Sequence, residues 1–323
     1  LRLVHRVDAV HNRVPMPDIH SSHKLIIVTG KGGVGKTLLA AALARLSAGS
    51  GLNTVLVTLD TRDDRHPLLN VPLEYTPYQV EPRLAASRVD AFEAVSEYAR
   101  KTMPFSMFYE GFFNSGTFRD FATAAPGFED LMCLGKLYNL ATDSEFDRVI
   151  FDAPATGHFR QLLEVPGDTA RAVQVGPLNH NSRTIQDLLL DADRTHVLVA
   201  ALAEEMPVRE ALEIVDACSA LRMSVGPVLI NRRVPRPLSD LESASLSDLL
   251  ARESSVSKPV AAAIVASAQA VSIAASQERA LEPLRQRRLR MLDVPQVVQP
   301  SFAVDDLLAE VGAALQPLMQ EGP

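Results

Sequence analysis

The stretch Val28 to Ala41, VTGKGGVGKTLLAA, decides how the rest of the chain reads. Gly30, Gly35, Lys36 and Thr37 fit the spacing G-x-x-x-x-G-K-[ST], in which backbone N–H groups and a lysine hold phosphates and the hydroxyl reaches a magnesium ion. Such a match is specific only between a strand and a helix, and both flanks are present. KLIIVT, Lys24 to Thr29, is a short apolar run of strand type. TLLAAALARLSA, Thr37 to Ala48, reads as a helix that stops at Gly49 and Gly51. One residue does not fit a plain loop. Lys31 adds a second cation inside the glycine run, and it would crowd charge onto the same phosphates unless it points elsewhere.

Outward from the loop, buried-type strands follow at TVLVTL (Thr54 to Leu59), RVIF (Arg148 to Phe151), THVLVA (Thr195 to Ala200), GPVLI (Gly226 to Ile230) and PQVV (Pro295 to Val298). Helical patterns separate them, which predicts an α/β fold with a doubly wound, mainly parallel sheet. Almost ninety residues between TVLVTL and RVIF hold no convincing strand, and a compact domain does not leave that length unstructured. Ala91 to Thr142 is therefore expected to be a helical insertion in a single domain spanning 23–323. Residues 1–22 are expected to be a disordered extension, with Met16 as the natural start.

In a doubly wound sheet the ligand lies beyond the carboxyl ends of the strands, where Asp60 and Asp152 join the loop. Backbone groups of Gly30, Lys31, Gly32, Gly33, Val34, Gly35, Lys36, Thr37 and Leu38 are expected to bind the phosphates of a nucleotide. Lys36 neutralises the β/γ oxygens, Thr37 ligates Mg²⁺, and Asp152 holds the metal through water.

The composition narrows the function. A net charge of −7 over 323 residues argues against a nucleic-acid surface, and RQRRLR (Arg285 to Arg290) reads as a solvated helix face. Cys133 and Cys218 lie far apart, too few for a disulfide framework or a CxxC zinc site, and suit a cytoplasmic location. No stretch reads as a transmembrane helix: PVAAAIVASAQAVSIAA, Pro259 to Ala275, is mostly alanine and is expected to be a buried helix.

KGGVGKT, with a lysine directly after the first glycine, resembles the deviant Walker A motif of the partition and cell-division ATPases and their relatives. FDAPATGHFRQLLEVP, Phe151 to Pro166, is similar to a switch segment of the arsenite-pump ATPases and the tail-anchored-protein targeting ATPases, matched at Asp152, Ala153, Pro154, Thr156, Gly157, His158, Arg160 and Leu163. AAPGFEDLMCLGKL (Ala124 to Leu137), EEMPVREALEIVDA (Glu204 to Ala217) and LINR (Leu229 to Arg232) agree with that family. The resemblance implies an Mg²⁺-dependent ATPase that works as a nucleotide-switched homodimer and serves a hydrophobic client or a membrane partner. It implies that Lys31 crosses to the partner's phosphates, in the manner of an arginine finger. It also implies that Asp60 orients the attacking water, that Asn231 reads the adenine, and that His158 relays the switch without being catalytic. The first switch departs from the family's D-P-A-H pattern: DTRDDRHP, Asp60 to Pro67, keeps the aspartate but places Thr61, Arg62 and Asp63 after it. Asp63 and Asp64 are expected to face solvent.

Seven of the 12 phenylalanines, Phe105, Phe108, Phe112, Phe113, Phe118, Phe121 and Phe128, fall close together with Met103, Met107 and Met132, either as the insertion's own core or as a client groove. Two other readings stay open. A partition-type switch should end in a basic amphipathic helix, but VDDLLAEVGAALQPLMQEGP carries no Lys or Arg. An arsenite-pump subunit needs soft thiolates, and the sequence offers only two.

Overall fold

A computed structural model of the protein describes residues 19–59, 64–102, 127–235, 257–298 and 303–319, together with positions 242, 245 and 248. The strands are β1 (Leu25–Gly30), β2 (Thr54–Leu59), β3 (Tyr78–Glu81), β4 (Leu84–Val89), β5 (Arg148–Asp152), β6 (Thr195–Leu202), β7 (Val228–Arg233) and β8 (Met291–Pro295). The helices are α1 (Lys36–Gly49), α2 (Ala91–Thr102), α3 (Phe128–Thr142), α4 (Thr156–Ala172), α5 (Pro177–Leu190), α6 (Glu205–Ala220), α7 (Lys258–Ala280), α8 (Glu282–Gln286) and α9 (Val304–Leu315).

The strands form one sheet in the order β3-β4-β2-β5-β1-β6-β7-β8, parallel throughout except for the β3–β4 pair. The predicted doubly wound sheet is therefore present. Parallel strands covered on both faces read as continuous apolar runs, and all six residues of β1 are buried. Their side chains still alternate. Leu25 and Ile27 enter one core cluster, with residues of α3, α4, α5 and α6, whereas Ile26 and Val28 enter the other, with residues of α1 and α9. At about 1.5–3 kcal/mol for each fully buried aliphatic side chain, this one strand ties both layers to the sheet. Because β1 pairs with β5 on one side and β6 on the other, the chain reverses its winding direction at β1, and a crevice opens at the carboxyl ends of these strands.

Three expectations are corrected. The stretch that seemed to hold no strand contains the hairpin β3–β4, and β4 pairs in parallel with β2. Its sequence, LAASRV, reads as helical, but Leu84, Ala85 and Ala86 are buried inside the sheet, where small side chains pack closely against the layers on either face. The hairpin turn puts Arg83 at φ 67, a conformation that no Gly or Asn announces. The last strand is MLDVP, and PQVV contributes only Pro295 to it. Helix α7, expected to be buried, has only Ala274 buried and exposes Val260, Val265 and Ile273. By length and composition the stretch Lys258–Gln286 is apolar enough to cross a membrane. Alanine richness gave the expectation of burial, but small side chains provide helix propensity without requiring a covered face.

Of the stretch Ala91–Thr142, α2 and α3 lie among the described residues and pack on each other and on the cluster beneath β5. The phenylalanines from Phe105 to Phe121 lie outside the described residues, as do Asp60, Thr61, Arg62 and Asp63 and residues 1–18.

Candidate nucleotide site

The loop begins at Gly30, the last residue of β1, in register with Ala200 of β6. A Cβ on Gly30 would stand 2.2 Å from the Ala200 carbonyl oxygen, so only glycine passes. Gly33 and Gly35 then take φ of 85° and 94°, turning the chain so that its N–H groups converge before α1 starts at Lys36. Val34 is fully buried and anchors the turn. Behind it, Asn231 of β7 donates from Nδ2 to the Val34 carbonyl at 2.8 Å, and its Oδ1 accepts the Arg232 N–H at 2.9 Å. The predicted base-reading asparagine thus sits against the loop, in a strand and not in a turn, and braces the loop from the far side.

Inside the crevice the Thr37 hydroxyl donates to Asp152 Oδ2 at 2.7 Å. The other Asp152 oxygen, Oδ1, is buried without a hydrogen-bond partner, and so is Thr58 Oγ1 on the neighbouring strand. Thr58 and Asp152 are register partners across β2 and β5, and both line a cleft of about 300 Å³ with Lys36, Thr37, Leu59, Pro67 and Leu73. A buried carboxylate oxygen and a buried hydroxyl without partners are costly unless something fills the cleft, and this donor set beside the Thr37 hydroxyl would fit a hydrated cation. Burial raises the Asp152 carboxyl above its ordinary range, while the Thr37 hydrogen bond and nearby Lys36 draw it down. Burial likewise lowers Lys36, against the raising effect of Asp152. Lys36 Nζ donates to the Lys31 carbonyl at 3.2 Å, so its ammonium lies within the loop.

Lys31 is directed differently. Its Nζ meets Glu210 Oε1 on α6 at 2.6 Å, and Glu210 Oε2 accepts the Thr156 hydroxyl from the start of α4 at 3.0 Å. The segment between Asp152 and Thr156 is also held by Thr29, whose hydroxyl donates to the Pro154 carbonyl at 3.3 Å. His158, placed outside the chemistry from the sequence, pairs instead with Asp130 on α3 at 2.8 Å. Asp64 is almost fully exposed, as expected, within 3.7 Å of Arg88.

The structure therefore brings Gly30 to Thr37, Asp152 and Asn231 together at one end of the sheet. Two residues escaped the sequence reading. Thr58 is one more threonine in an apolar strand, and only its register opposite Asp152 marks it. Glu210 is one of several acids on an amphipathic helix, 179 residues from Lys31, and no local signal singles it out.

A glycine loop joining a parallel strand to a helix, with a lysine and a threonine at its end and an aspartate facing that threonine, defines a P-loop nucleotide-binding ATPase. Residues 23–179 match the family model of the anion-transporting ATPases. Those residues are similar to that family's domain, and the protein is an ATPase. The chain is 29% identical over 252 residues to the ATPase BagA of Mycobacterium tuberculosis, covering 73% of this chain and 72% of that one. It is 29% identical over 149 residues to ATPase ASNA1 homolog 1 of Paramecium tetraurelia, covering 44% of each. An arsenical pump-driving ATPase of Escherichia coli is 28% identical over 204 residues, which cover 60% of this chain and 32% of that protein.

Proposed function

We propose that the protein is an Mg²⁺-dependent ATPase whose two nucleotide sites close face to face in a cytoplasmic homodimer, and that closure is coupled to a hydrophobic client or a membrane partner. Thr37 and Asp152 would hold the metal, which would supply positive charge to offset that of the phosphates. Thr37 is assigned to the metal directly and Asp152 to its water shell, which accounts for the unpartnered Asp152 Oδ1. Lys36 is assigned to the β/γ oxygens, Asp60 to the attacking water, and Asn231 to bracing the loop through the Val34 carbonyl.

The observation that carries the homodimer is the divergence of the two lysines. Lys36 lies inside its own loop, while Lys31 is turned onto α6, away from the phosphate cradle. A lysine so turned adds no charge to the phosphates of its own loop, and once it leaves Glu210 it can serve those of another subunit. The client side rests on the family resemblance and on the phenylalanine-rich segment. Arsenite is disfavoured as a ligand because both thiols are buried and burial pushes Cys218 up to about 12.

Mixing Lys31→Ala with Asp60→Ala subunits, each inactive alone, tests the cross-subunit role. In the heterodimer, the Lys31→Ala subunit keeps its own Asp60 and receives an intact lysine from its partner, so one site is whole. About half of wild-type turnover per heterodimer is expected. If Lys31 acts within its own subunit, both sites are broken, and heterodimers that form but stay inactive refute the reading.

A further inference from the structure

Neither the loop motif nor the sheet requires the Lys31 tether. Glu210 uses both carboxylate oxygens to join three separate elements: Lys31 of the phosphate loop at 2.6 Å, Thr156 at the start of α4 at 3.0 Å, and its own helix α6. Helix α4 follows directly after Asp152. Its N-cap is Ala155, which provides no side-chain hydrogen bond, and its first turn holds no acidic residue. The Glu210 carboxylate supplies from another helix the negative charge and the acceptor that this helix start lacks. The hydrogen bond from Lys31 is the main reason the Glu210 carboxyl sits below its ordinary range, with Thr156 adding to it. At 32% and 24% side-chain exposure, the two ends of the ion pair can still exchange partners.

We propose that Glu210 is a latch: before the nucleotide site closes it holds Lys31 back on its own subunit and fastens the start of α4 to it, and closure requires Lys31 to exchange this carboxylate for phosphate oxygens. The proposal rests on the reading of Lys31 as a cation for the partner's phosphates. The Lys31 ammonium has three N–H donors but a single position, and to reach a phosphate across the interface its Nζ must leave the place where it stands 2.6 Å from Glu210 Oε1, so the two contacts compete. When Lys31 leaves, Glu210 keeps only Thr156, and the segment carrying Asp152 loses one of its ties to the loop. Arrival of the phosphates is thereby transmitted to the switch helix. Glu210 is a positioning residue that acts through Lys31.

The test uses the full chain with Glu210→Gln, which keeps the length and an acceptor for Thr156 but removes the charge. Closure is followed by fluorescence transfer between donor- and acceptor-labelled subunits, titrated with Mg²⁺ and a slowly hydrolysed ATP analogue. Half-maximal closure is expected at about fivefold lower nucleotide than in the wild type, or about 1 kcal/mol at about 1.4 kcal/mol per tenfold. In a Lys31→Ala background the shift should vanish, because Glu210 then has no Lys31 to hold back. A wild-type midpoint for Glu210→Gln, or the same shift without Lys31, overturns the proposal. Amide exchange of the nucleotide-free chain provides a second reading. Glu210→Ala should speed exchange in the phosphate loop and the first turn of α4 while leaving β2 and β4 unchanged. Unchanged exchange at those two places overturns the latch whether or not the chain dimerises. Faster exchange in a chain that never closes on a partner retains the latch and removes only the cross-subunit role of Lys31.

Discussion

The four glycines of the phosphate loop differ in what holds them, so alanine at each should cost a different amount. At Gly32 a Cβ meets nothing within 4 Å, and the backbone is not left-handed. At Gly33 the space is equally open but φ is 85°, which costs an L-residue about 1–2 kcal/mol. Gly35 adds a contact: its φ is 94°, and the new Cβ would stand 2.3 Å from Asn231 Nδ2. That amide is buried and donates to the Val34 carbonyl, so moving it leaves a buried group unpaired at about 1–3 kcal/mol. The two effects at Gly35 together come to about 3 kcal/mol. Gly30 is worse, because the obstacle at 2.2 Å is the backbone carbonyl of Ala200 in the middle of the sheet. Thermal unfolding of the nucleotide-free variants should therefore rank Gly32→Ala, Gly33→Ala, Gly35→Ala and Gly30→Ala in order of rising damage. At about 2–4 °C per kcal/mol, Gly35→Ala should lower Tm by about 6–12 °C and Gly32→Ala by no more than a degree or two. A Gly32→Ala variant as unstable as Gly35→Ala, or a Gly35→Ala variant at the wild-type Tm, would refute this account of the loop.

Lys36→Ala should remove most turnover, since it deletes the half-buried cation of the cradle, and Thr37→Ala should weaken Mg²⁺ dependence in a metal titration; wild-type hydrolysis by Lys36→Ala would count against the site. Stability should fall in acid, because burial lowers His66 to about 4 and His196 to about 3. Both are neutral when folded and take up a proton near pH 6.5 when unfolded, so their contribution is complete above that pH and is lost as pH falls toward 4 and 3. Between pH 7 and 5 the pair should cost about 4 kcal/mol in urea unfolding, at about 1.36 kcal/mol per unit for each, and replacing His66 or His196 should remove its share of the slope. Hydrolysis should not respond to arsenite or antimonite, because Cys133 and Cys218 are both buried; a several-fold stimulation abolished by Cys133→Ser would overturn that expectation.

The sequence by itself determined the phosphate loop, the parallel sheet around it and the aspartate facing the loop. Each of these is written in local chemistry: Gly30 and Gly35 stand where a Cβ has no room, Gly33 takes a left-handed φ, and strands covered on both faces must be apolar end to end. The hairpin β3–β4 was hidden because LAASRV has no β signal of its own, and its strand character comes from pairing with β2. The exposure of α7 was hidden for the opposite reason, since an alanine-rich helix has the same sequence whether or not a neighbour covers it. Only the tertiary structure decided where the charges go. Thr58 acquires meaning from its register opposite Asp152, and Asn231 from the carbonyl of Val34, 197 residues away in the chain. The same holds for Lys31: a motif can place an ammonium in the loop, but its partner is a carboxylate on α6, and a contact made across 179 residues leaves no pattern in either segment.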